Sequence, residues 1–97
     1  PVAVLVGPWT GSVGEGIAIG LDGLKRARIV GSPMAGLRGA IYSYTLPHTR
    51  IGFSFPAERL YHVDGTPRED FRRIRIVAPA EGRDAVLESA LRLLREK

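Results

Sequence analysis

The residue types best suited to chemistry gather in one short stretch, Thr10-Gly11-Ser12-Val13-Gly14-Glu15. It follows a continuously apolar run, Val2 to Val6, and precedes residues at helical spacing, so Ser12 falls where a strand bends into a helix. A hydroxyl there meets the first free N–H groups of the helix and about half a positive charge from its dipole. Such donors stabilise an oxyanion, and one is typically worth about 3–4 kcal/mol in the transition state. Ser12 is therefore a candidate nucleophile, and the Val13 N–H a candidate oxyanion donor. Gly11 and Gly14 leave room for a substrate backbone. A plainer reading competes with this one: serine followed three residues later by glutamate is a capping box. The first glycine of G-x-S-x-G is replaced by Thr10, so an α/β-hydrolase elbow is not indicated.

A nucleophilic serine needs a base, and the base an orienter. His48 falls on an expected hairpin tip and should face solvent. His62, beside Asp64-Gly65, reads as a surface residue at a strand end. Lys25 belongs to the far end of the helix, roughly 20 Å from Ser12 at 1.5 Å per residue. A base is thus expected from outside these residues. Glu69, in a turn-rich segment, has the chemistry to orient a histidine; the alternative is a solvated carboxylate among arginines.

Composition narrows the rest. There is no cysteine, which excludes a thiol nucleophile, a disulfide framework and a thiolate zinc site. Two histidines on loop or strand ends give no metal site, and no cofactor is expected. The net charge of +4 admits nucleic acid as a partner. The arginines are scattered, however, and the cluster Arg68, Arg72, Arg73, Arg75 reads as a solvated edge without interleaved aromatics, so no nucleic acid is expected. No apolar run approaches the roughly 20 residues of a membrane span. Val2–Val6, short and without a preceding basic residue, is not an export signal. Because the chain opens at Pro1 directly into a strand, it reads as part of a longer protein.

The elements that must position Ser12 follow from periodicity. Val2–Val6 predicts a strand buried on both faces. A helix starts near Ser12, with Val13, Ile17, Leu21 and Leu24 as its apolar stripe and Gly23 as its stop. Ala27–Val30 is a second strand, completing a βαβ unit. Ala40–Leu46 and Arg50–Phe55 form a hairpin around Pro47-His48-Thr49. Leu60–Val63 is a short strand closed by Asp64-Gly65. Arg73–Val77 alternates, isoleucines on one face. Asp84 caps a last helix whose stripe is Val86, Leu87, Ala90, Leu91 and Leu94.

Three blocks in register carry a family resemblance: Val2–Val6, Thr10–Glu15, and Lys25-Arg26-Ala27-Arg28-Ile29-Val30-Gly31-Ser32-Pro33-Met34-Ala35-Gly36. Together they resemble the tail-specific (C-terminal processing) and tricorn-core serine peptidases, over nearly all of the chain. The resemblance implies an α/β, Clp protease/crotonase-like fold in which residues 1–97 are the C-terminal part of the catalytic domain. It implies peptide-bond hydrolysis through an acyl-enzyme. Ser12 matches the nucleophile, Val13 the residue whose N–H forms half the oxyanion hole, and Glu15 a structural glutamate on the first helical turn. The processing branch places a dyad lysine 25 positions after the serine; here that position is Leu37, flanked by Gly36 and Arg38, so a Ser–Lys dyad fails. Arginine cannot act as the base in its place. The tricorn-like branch uses serine, an upstream histidine and a glutamate, for which Glu69 after Gly65 is the match. The usual Gly-Val-x-Pro-Asp stretch is missing, with Arg72-Arg73 near its place. The chain alone is expected to be inactive. The implied partner is a peptide or protein substrate, with a homo-oligomer left open, in a periplasmic or extracytoplasmic setting. The competing reading is a non-catalytic peptide-binding or assembly module with the same fold.

Overall fold

In a computed structural model, which describes residues 1–96, the apolar opening run becomes β1 (Ala3–Val6) and leads through a tight turn into α1 (Val13–Gly23). Next come β2 (Arg28–Gly31), β3 (Ala40–Thr45), β4 (Gly52–Glu58), a single 3-10 turn at Arg68–Asp70, β5 (Arg75–Ile76) and α2 (Ala85–Arg95). β1, β2 and β5 form a parallel sheet in that order, with Val4 opposite Ile29 and Leu5 opposite Val30. Strand alternation sends Val6 and Ile29 to one face, where Ala18 and Ile19 of α1, with Phe71 and Ile74, cover them. Val30 faces the other way, onto Ala90 and Leu93 of α2. The body is a three-layer α/β unit built on a βαβ crossover.

β3 and β4 are an antiparallel hairpin that packs chiefly on itself. Gly39, at φ 63, starts it next to an irregular register at Ala40/Ile41; a Cβ at Gly39 would lie 2.0 Å from the Glu58 carbonyl oxygen, so only glycine fits. The hairpin stretches the molecule to 60 Å, with a radius of gyration of 16.9 Å. A compact chain of this length would have about 12–13 Å. Among the described residues no helix is long and apolar enough to cross a membrane.

The elements fall where periodicity puts them, but several faces do not. α1 turns Glu15, Ala18 and Ile19 inward and leaves Val13, Ile17 and Leu24 exposed, so the expected stripe of Val13, Ile17, Leu21 and Leu24 is not the core face. Ala18 lets the helix lie close against β2, Ile19 and Glu15 fill the space to either side, and Val13 and Ile17 are left for a different surface. Leu60–Val63 is not a strand; a lone bridge joins Tyr61 to Pro67. β5 is two residues long, and of its flanking isoleucines only Ile74 is buried. β1 is an edge strand, and Leu5 remains exposed. Asp84 does cap α2, accepting the Leu87 N–H at 3.0 Å, but the buried face is Ser89, Ala90 and Leu93, with Leu87 and Leu91 exposed.

The core beneath α1 and the exposed stripe of α1 give different costs for removing the same kind of side chain. Ile29→Ala, which opens a void under α1, is expected to destabilise the fold by about 2–5 kcal/mol. Ile17→Ala should stay within about 0.5 kcal/mol. Urea denaturation of both variants measures the difference; equal losses would restore Ile17 to the core.

Candidate functional site

Ser12 has φ 55 and ψ −120, a backbone conformation that side chains rarely adopt and that costs on the order of 1–3 kcal/mol. The neighbouring structure holds it there. The Glu15 carboxylate, one turn into α1, is only 1% exposed. Its Oε2 accepts the Ser12 N–H at 3.0 Å and its Oε1 the Gly36 N–H at 2.6 Å, while the Leu37 N–H lies 3.3 Å from both oxygens. Gly36 reaches this position with φ 73, which favours glycine. The Arg68 guanidinium stands 4.0 Å away and balances the buried charge. On the other side of the turn the Thr10 hydroxyl accepts the Gly7 N–H at 3.0 Å, and the Thr10 carbonyl accepts the Ala35 N–H at 2.9 Å.

This arrangement separates the two readings of Ser12. Both halves of a capping box are in place at this bend: Glu15 accepts the Ser12 N–H at 3.0 Å, and the Ser12 side chain stands toward the Glu15 N–H without closing a full cap hydrogen bond. The side chain is exposed. Its own N–H is committed to Glu15, so it is not the oxyanion donor. The next amide, Val13 N–H, heads α1 and carries no hydrogen bond among the described residues.

Ser12 and Val13 open onto a cleft of about 720 Å³ walled by Ile17, Leu37, Ile41 and Leu60, with Arg68 in its lining. Val13 and Ile17, the exposed apolar residues at the start of α1, thus belong to this wall, and Leu24 does not. The Leu37 side chain also covers Gly11: a Cβ on Gly11 would lie 3.1 Å from Leu37 Cδ1. Position 37, where the resemblance places a dyad lysine, is therefore beside the Ser12 turn.

Glu69 sits in the 3-10 turn, in a neighbouring cleft of about 590 Å³ that shares Arg38, Gly39 and Pro56 with the first. Oε1 accepts from Arg59 at 3.2 Å. Oε2 is buried and has no hydrogen-bond partner among the described residues. Its own backbone N–H first, and then the Arg59 and Arg38 guanidinium groups, hold the carboxyl below the ordinary glutamate range, against the opposing pull of burial. Glu69 is neither freely solvated nor fully partnered.

The remaining candidates lie elsewhere. His48 is exposed at the hairpin tip, as expected. His62 is buried rather than a surface residue at a strand end. Its Nε2 is 2.8 Å from Asp22 Oδ2, its Nδ1 accepts the Asp64 N–H at 2.9 Å, and its ring stacks on Phe71. Asp22 lies ten positions after Ser12 on α1, about 15 Å away, so His62 fastens the far end of the helix. Lys25 lies beyond that end, in the lining of a cleft beside His62. Among the described residues no group of three histidine, aspartate or glutamate side chains is placed to hold a metal ion. No family model matches the chain, and a search of curated proteins finds no match either.

Arg68 was hidden in the sequence. Within an arginine-rich segment it reads as part of a solvated edge, yet it is 8% exposed and donates to the Leu37 carbonyl at 2.7 and 3.1 Å and to the Gly39 carbonyl at 3.3 Å. Those carbonyls belong to a loop that periodicity leaves without structure, so no local signal marks their partner.

Glu15→Ala strands three backbone N–H groups and a buried guanidinium. It is expected to cost about 3–5 kcal/mol in urea denaturation. A loss under about 1 kcal/mol would show that the carboxylate does not hold the turn. Glu69 predicts a pH signature. Its folded-state carboxyl lies below the ordinary 4.5, so its contribution is present above that value and is lost as pH falls through the folded one. Glu69→Gln should lower Tm at neutral pH, and the gap from wild type should close as pH falls below the ordinary glutamate range and the folded-state carboxyl takes up its proton.

Proposed function

We propose that this chain carries the nucleophile half of a serine peptidase site, in the C-terminal part of a Clp protease/crotonase-like catalytic domain of the tricorn-like Ser-His-Glu type. One observation carries the reading: an exposed serine held at φ 55 and ψ −120 by its buried surroundings. Backbone strain of that kind is retained where it aims a reacting group. Two further observations support it. The Thr10–Glu15 and Gly31–Gly36 blocks, which carry the resemblance, are bonded side by side through Ala35 and Thr10. Leu37 also occupies the place beside the turn where a dyad lysine would reach the hydroxyl.

The chemistry follows. Ser12 Oγ attacks the scissile carbonyl and gives its proton to a base. The Val13 N–H receives the developing oxyanion. The tetrahedral intermediate collapses with release of the amine, leaving an acyl-serine that water hydrolyses. The base is a histidine outside these 97 residues, and the unpaired Glu69 Oε2 orients it by accepting its second N–H. The apolar cleft takes a substrate side chain. An extracytoplasmic setting comes with the resemblance. A second reading, a peptide-binding or assembly module without catalysis, draws on the placement of His48 and His62 away from Ser12.

Fluorophosphonate labelling tests the nucleophile. Wild type is expected to label slowly and Ser12→Ala not at all; equal labelling of the two would refute the proposal. Leu37→Lys puts an amine beside the turn and should raise the labelling rate by at least about tenfold, within the range of a positioned base. Its rate should climb with pH as that amine loses its proton. No labelling of wild type or Leu37→Lys would favour the module without catalysis.

A further inference from the structure

The hairpin has two unlike faces. Ile41 and Pro56, opposite one another at its base, line the Ser12 cleft. Alternation puts Tyr42, Tyr44, Phe53 and Phe55 on the other face, and Leu46 and Ile51, bonded across the next rung, extend it toward the tip. All six are 43–58% exposed. Tyr44, Phe53 and Phe55 stack on one another at 5.2–6.0 Å between centroids and within 24° of parallel, which makes a flat slab of rings. A two-stranded hairpin without a covered face is marginal in water.

We propose that this aromatic face is a dimer interface and that its occupant is the same face of a second copy of the chain. Area supports this. Six large side chains, each with roughly half of about 150–250 Å² still accessible, offer on the order of 500 Å² per copy. Two copies together would bury about 1,000 Å², the lower bound for a specific interface. The roughly 500 Å² on each copy already matches the largest apolar patch a monomer normally leaves exposed, and such patches are often functional. Charge supports it too. Between Ala40 and Ala57 the only charged residue is Arg50, at the tip; at the base of the slab the Glu58 carboxylate accepts the Tyr42 hydroxyl. An anionic lipid surface or a nucleic acid would call for lysine or arginine around the aromatics, and would be repelled by Glu58. A second identical face, laid over the stacked Tyr44, Phe53 and Phe55 rings, meets no charge there, with Glu58 and Arg50 at opposite ends. A flat face is also complementary to itself about a twofold axis, the commonest symmetry of soluble oligomers. The two sheets would stack about 10 Å apart with side chains interleaved. The base of each hairpin would stay turned to its own Ser12 cleft, so the proposal is independent of the peptidase reading.

Sedimentation of the 97-residue chain at about 100 μM, a concentration suited to an interface of this size, is the test. Wild type is expected to be a dimer. Phe53→Asp and, nearer the tip, Ile51→Asp should each weaken dimerisation by at least about tenfold with the far-UV spectrum unchanged. Thr45→Asp, on the opposite face, should leave it intact. The chain has no cysteine, so a single introduced one reports only contact between copies. Tyr44→Cys should cross-link on oxidation, and Thr45→Cys should not. A monomeric wild type overturns the proposal, including one that floats with anionic vesicles. So does a dimer that survives both aspartate variants, or one that cross-links through Thr45→Cys in preference to Tyr44→Cys.

Discussion

Inside the bend between β1 and α1, the Glu15 carboxylate gathers backbone donors from two segments that are distant in sequence. Ser12 comes from the bend itself, and Gly36 and Leu37 come from the loop after β2. Arg68 closes the arrangement from a third segment, facing the carboxylate while holding the carbonyls of that same loop. A buried carboxylate without partners would be untenable. Here its need for donors is what brings three pieces of chain together. Remove the charge and the loop keeps only the Ala35 N–H to Thr10 carbonyl bond and the Leu37 side chain over Gly11 to hold it against the start of α1.

The strain at Ser12 is intelligible in these terms. An unfavourable φ/ψ pair costs on the order of 1–3 kcal/mol. A hydrogen bond to a charged group contributes about 1.5–3 kcal/mol, and Glu15 accepts from three backbone amides. The network exceeds the strain, so the unusual backbone persists. Glu15 satisfies the turn from below, accepting the Ser12 N–H at 3.0 Å.

The sequence made the order of elements legible, along with the bend at Ser12, the hairpin and the Asp84 cap. Each depends on residues close in the chain: an apolar run, a Ser-x-x-Glu spacing, a Pro-His-Thr turn, an aspartate before an apolar stripe. Long-range geometry was hidden. Which face of α1 is buried depends on how closely β2 approaches, and that favoured Ala18 over Ile17. His62 and Arg68 look like surface residues locally, because their partners, Asp22 and the Leu37 carbonyl, lie 40 and 31 positions away. Glu15 reads as a capping residue for the same reason. One of its bonds is local and the others are not.

Positioning and reactivity separate in this molecule. The Ser12 turn is over-determined: its strain, its buried charge and its flanking loop are all satisfied within the body. The periphery is not. β1 and β5 are both edge strands of a parallel sheet, an arrangement usually covered on all sides. The hairpin presents an aromatic slab to water, and Glu69 keeps one buried oxygen unpaired. Those needs are chemically distinct, since an apolar face is satisfied by area and a lone carboxylate oxygen by a single N–H. What covers the slab therefore need not supply the proton donor that Glu69 lacks. Ser12 can hold its shape without either, but it cannot lose its proton without a base.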